Sequence, residues 1–108
     1  MAAMKVMQTA KEFYDFFKSI PEEKWTMKIF HNKQKTKFCA YGHLGVRYDE
    51  TDHSGWSRVN KNVCNLDLIL GSSDIVDIND GEFQYVKYGK TPKTRILHAL
   101  KFAIQKGR

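Results

Sequence analysis

The stretch TPKTRILHALKFAIQKG, residues 91 to 107, constrains the fold more than any other segment. Thr91 is an N-cap residue, and Pro92 follows at the first helical position, where a missing N–H costs nothing. Ile96, Leu97, Leu100, Ala103 and Ile104 recur at helical spacing and make one apolar stripe. Lys101 and Lys106 suit the negative end of the helix dipole, and Gly107 supplies a stop. Such a helix gains most of its stability by burying that stripe, so the chain must supply elements to cover it.

Other segments answer that need. TAKEFYDFFKSIP carries a capping box, Thr9 with Glu12, then an apolar stripe of Phe13, Phe16, Phe17 and Ile20. Pro21 ends it, because the residue before a proline avoids the helical region. VNKNVCNLDLILG has helical period through Val59, Val63, Leu66 and Leu70, with Gly71 as its stop. SSDIVDINDG opens on a cap signal and closes on a tight turn at Asp80-Gly81, which leaves room for a helix of a turn or two.

The remaining segments are less regular. EEKWTMKIF alternates Trp25, Met27 and Ile29 with polar residues, the pattern of a short half-buried strand, and HNKQKTK reads as a polar turn leading back towards Phe38. FCAYGHLGVR carries two glycines in four residues, which weakens a strand and favours a helix of about ten residues. YDETDHSGWSR reads as a loop and EFQYVKYGK as an extended or flexible segment. The expected fold is a mainly α or α+β domain of 108 residues. It has about four helices and at most a short β-hairpin, with residues 1–8 a flexible N-terminus. Apolar residues at 42% and aromatics at 13% provide for one real core.

Eighteen basic and twelve acidic residues leave a formal charge of +6, which favours anionic partners. MAAMKVMQTAKEF lacks the apolar run of a signal peptide, and nothing approaches a membrane span. A cytoplasmic chain with reduced Cys39 and Cys64 is expected, and no membrane partner.

Three chemistries can be weighed from the residues. On a helix, Cys39 and His43 are one turn apart, so an imidazolium could activate the thiol, with Asn79, Asp77 or Asp80 orienting the ring. Packing of a small cysteine beside Ala40 and Gly42 is the commoner use of such a residue. A zinc site from Cys39, His43, Cys64 and a further histidine has no pre-set spacing, and DINDGE puts Gly81 where a calcium loop needs a ligand. No metal or cofactor is therefore expected. The third chemistry is phosphate binding. Thr91, Lys93 and Arg95 lie at a helix N-terminus, where free N–H groups and the dipole favour anions. Lys90 or Arg47 would add charge, and Tyr85, Tyr88 or Trp56 would stack on a base.

FCAYGHLGV, IVDINDG and TPKTRILHALKFAI, following EFYDFFKSIPEEKW, together resemble a group of small proteins of tailed bacteriophages. That group shows a helix ending before IP..KW, then a CALGHxG-like stretch, an NDG turn and a TPKxRIL segment. The likeness spans most of the chain outside residues 47 to 73 and 82 to 90; Tyr41 stands where the group usually has leucine. The resemblance implies a phage gene acting in a bacterial cytoplasm, and it carries no catalytic residue across. By analogy with small phage proteins that counter host defence, the expected function is non-enzymatic: sequestering a phosphate-bearing nucleotide, such as an immune signal, in a homo-oligomer. The alternatives are a Cys39/His43 hydrolase or transferase, and a basic inhibitor that binds a host protein or nucleic acid.

Overall fold

Five α-helices and two 3-10 helices form around the capping signals in a computed structural model that describes residues 5–34, 36–45 and 60–108. Helix α1 is Ala10–Lys18. Thr9 Oγ1 accepts the Glu12 N–H at 3.2 Å, and the Glu12 carboxylate reaches back to the Gln8 N–H. Phe13 and Phe17 are fully buried, 6.3 Å apart between ring centres.

A 3-10 turn, Glu22–Lys24, follows Pro21. The half-buried strand expected next is replaced by two isolated bridges, Trp25 with Phe38 and His31 with Phe38. Trp25 is buried, but Met27 and Ile29 are 42% and 39% exposed. The alternation fails because Lys28 takes a left-handed backbone, φ +68°, which turns the chain out of extended geometry. The polar turn is present: the Asn32 N–H donates to the Lys37 carbonyl and the Asn32 amide oxygen takes the N–H groups of Thr36 and Lys37.

Helix α2, Ala40–His43, is one turn rather than ten residues. Gly45 at φ +106° ends the described part of the segment in a conformation that only glycine adopts freely. The expected loop at 48–58 lies outside the described residues. Helix α3 is Lys61–Leu70, with Asn60 Oδ1 accepting the Val63 N–H as its cap. Gly71, φ +91°, joins it directly to α4, Ser72–Asp80. At nine residues α4 is longer than expected, because Ile75 and Ile78 give it an apolar stripe of its own. The EFQYVKYGK segment forms a 3-10 helix, Phe83–Tyr88, rather than an extended or flexible segment.

Helix α5, Pro92–Gln105, starts where its signals place it, with Thr91 Oγ1 accepting the Thr94 N–H. It makes the most extensive helix contact with α1 and further contacts with α4 and α3. Phe13, Phe17, Leu66, Ile75, Ile96 and Leu100 meet at the centre of this arrangement. The fold is mainly α. No described helix is long and apolar enough to cross a membrane.

Candidate functional site

The Asn79-Asp80-Gly81 turn is the polar hub of the molecule. Gly81 at φ +70° lets the chain close α4 with the two reverse hydrogen bonds of a Schellman cap, Glu82 N–H to Asp77 O and Gly81 N–H to Ile78 O. Asn79 is buried, and its side chain is fully engaged. Its Oδ1 accepts the Ala40 N–H at 3.0 Å, while Nδ2 donates to Thr26 O and Asp80 Oδ1. Asp80 Oδ1 also accepts the Lys28 N–H at 2.8 Å, which holds Lys28 in its left-handed conformation. One turn therefore positions the start of α2 and the bend at Lys28.

Arg95 completes the hub from α5. It is only 4% exposed. Nε donates to Ile78 O at 3.0 Å, Nη2 to Asn79 O at 2.7 Å and Nη1 to Gly89 O at 3.2 Å; Nη2 also lies 3.0 Å from Met27 Sδ. A cation thus satisfies carbonyls at the negative end of α4. Burial pulls its pKa down, Asp80 acts the other way, and an arginine stays charged regardless.

Beside the hub is a cavity of about 230 Å³. Its walls are apolar: Ile29, Phe30, Ala40, Ile75 and Val76. Its polar margin is Lys28, Cys39, Asn79 and Asp80. Lys28 and Val76 are exposed, so they stand at its edge. Across α2, the buried Tyr41 donates its hydroxyl to Asp67 Oδ1 at 2.7 Å and ties α2 to α3. Burial first, then that carboxylate, pushes the phenol far above its ordinary range.

The structure distributes the expected site residues unevenly. Cys39 and Asn79 both line the cavity. Burial pushes the Cys39 thiol up, against the direction a nucleophile needs, although the N–H groups of Gly42 and Tyr41 oppose the shift. The His43 ring packs against Trp25 at 4.6 Å and Phe38 at 5.4 Å. Both cysteines are free thiols. Among the described residues no three His, Cys, Asp or Glu side chains gather to hold a metal.

At the start of α5, Thr91 is occupied as a cap and also donates its hydroxyl to the Glu22 carboxylate at 3.2 Å. Arg95 points inward, away from any phosphate at that helix start. Lys90 is exposed and Lys93 half-buried. Tyr85 and Tyr88 are edge to face at 5.2 Å, and Tyr88 lies 4.4 Å from the His98 ring. Partial burial and then Asp74 raise the Tyr85 pKa. Arg47 and Trp56 lie outside the described residues.

Sequence reasoning missed Lys28 and Asp80 as cavity residues and Arg95 as a buried clamp. One sign was present: Arg95 shares a helix face with Ala99 and Ala103, at i, i+4 and i+8. No family model matches the chain, and comparison with curated proteins and with solved structures gave no match.

Proposed function

We propose that the protein is a non-enzymatic binding protein for a phosphate-bearing, nucleotide-type ligand whose ring enters the cavity beside the Asn79-Asp80-Gly81 turn. The observation that carries this is the cavity itself: apolar walls with a lysine at the edge. Its volume, about 230 Å³, is below the roughly 300–1,000 Å³ of drug-sized sites, so it suits one ring and leaves a charged remainder outside. Lys28 at the cavity margin would add positive charge for that remainder, and the formal charge of +6 favours the approach of an anion. The raised thiol pKa of Cys39 supports binding over thiol catalysis. In the phage setting implied by the resemblance, the natural ligand is a host immune nucleotide.

The test is calorimetry against linear and cyclic nucleotides and ADP-ribose, using the whole chain and Val76→Trp. Val76 is 46% exposed at the cavity edge, so tryptophan there covers the opening without entering the core. Binding by the native chain and at least tenfold weaker binding by Val76→Trp are expected. Absence of binding across the panel, or equal binding by the variant, overturns the reading.

A further inference from the structure

We infer that the base held in the cavity carries an exocyclic amino group, which donates to the carboxylate of Asp80; this rests on the nucleotide reading above and names the class of base. The carboxylate is unevenly used. Oδ1 accepts the Lys28 N–H at 2.8 Å and an Asn79 Nδ2 hydrogen at 3.0 Å. Oδ2 takes no hydrogen bond and no ion pair among the described residues. Asp80 is half-buried and lines the cavity, so its carboxylate brings spare acceptor capacity to a space with apolar walls.

The other polar side chains of the lining are spent, weak or peripheral. Asn79 gives its amide hydrogens to Thr26 O and Asp80, and its Oδ1 takes the Ala40 N–H. Tyr41 commits its hydroxyl to Asp67. The Cys39 thiol is a weak donor, and Lys28 is exposed at the edge. Behind that edge the lining side chains offer one strong acceptor and no donor to match it. An amino group turned towards Asp80 supplies the missing donor. A ring carbonyl in the same place would set acceptor against acceptor, and both would lose water without a replacement. A site built on one hydrogen-bonding group discriminates most against the analogue that cannot supply its partner. The apolar walls select a flat ring, and the carboxylate selects which edge of that ring points inward.

The experiment is calorimetry of the whole chain with three matched pairs of nucleoside 5′-monophosphates: CMP with UMP, AMP with purine riboside monophosphate, and GMP with IMP. The second member of each pair lacks the amino group of the first. At least one amino member should bind, and at least tenfold more tightly than its counterpart. In Asp80→Asn the new side-chain oxygen can keep both Oδ1 bonds while an NH2 donor replaces Oδ2. Loss of the negative charge favours both members of a pair alike, so the ratio within the pair reads the hydrogen bond, and that ratio should collapse or reverse. In the native chain, the Asp80 carboxyl carbon resonance should shift on saturation with the amino member and stay in place with its counterpart, which keeps the test open if the variant melts early. Binding without an amino preference overturns the inference and leaves the nucleotide reading standing. So does a preference that Asp80→Asn, still folded, leaves unchanged, or one that does not move the Asp80 resonance. If none of the six binds, the inference fails, and the wider panel of cyclic nucleotides and ADP-ribose decides the reading.

Discussion

The guanidinium of Arg95 lies over Gly81 so closely that a Cβ on that glycine would fall 2.9 Å from Cζ. Two demands thus meet at one residue: a left-handed turn and room for a buried cation. Gly81→Ala is expected to cost about 1–2 kcal/mol for the backbone alone, and more as Arg95 is displaced. Arg95→Met should cost about 2–4 kcal/mol, since it strips charge-assisted bonds from buried carbonyls. Urea denaturation of both variants checks this. Unchanged midpoints would show that the clamp contributes nothing.

Lys28→Gly separates fold from ligand. Glycine removes the penalty of a left-handed lysine, and its backbone N–H still donates to Asp80. Relief of about 1–2 kcal/mol, less about 0.5–1 for glycine's chain entropy, predicts a net gain of about 0–1.5 kcal/mol. The same change removes the lysine side chain from the cavity margin, so nucleotide affinity should fall without loss of melting temperature.

The pH profile follows from the raised Cys39 and Tyr41 pKa values. Both groups hold their protons more tightly folded than unfolded, so their contribution is complete below the unfolded pKa values and is lost as pH rises above them. Stability should therefore begin to decline above about pH 8.5, where a free thiol titrates, and fall further above about pH 10 with tyrosine. Cys39→Ala should remove the earlier decline only. In the native chain, iodoacetamide should label Cys39 more slowly than free cysteine at pH 7.5; equal or faster labelling would revive the catalytic alternative.

Tyr41→Phe tests the tie between α2 and α3. Loss of the 2.7 Å bond to Asp67 should cost about 1–3 kcal/mol. A double-mutant cycle with Asp67→Ala should return most of that as coupling energy. Additive losses would mean that the phenol ring, not its hydroxyl, does the tying.

The helices legible in advance are those whose signals are local. The Thr9 and Thr91-Pro92 caps and the Gly71 stop act within four residues of themselves, and so do the stripes they bound. What escaped is set at a distance. Lys28 leaves the extended region where a carboxylate 52 positions away holds its N–H, so the Trp25-Met27-Ile29 alternation misled. Asn79 stands next to the Asp80-Gly81 turn that the sequence marks, but its hold on Ala40, 39 positions earlier, has no local trace. Arg95 at a helix start carries the signature of an anion site; only α4 ending beneath it turns the side chain inward.

Asn79 also gives the molecule a seam. The wall formed by residues 26–30 and 39–41 is held to α4 by side-chain bonds from Asn79 and Asp80, without a strand ladder. Segments held in that way open as small cooperative units at less than the global free energy. The amides of Lys28 and Ala40 should therefore exchange together and earlier than those of α1 and α5. A bound ligand would slow both, so occupancy of the cavity can be read from two hydrogens.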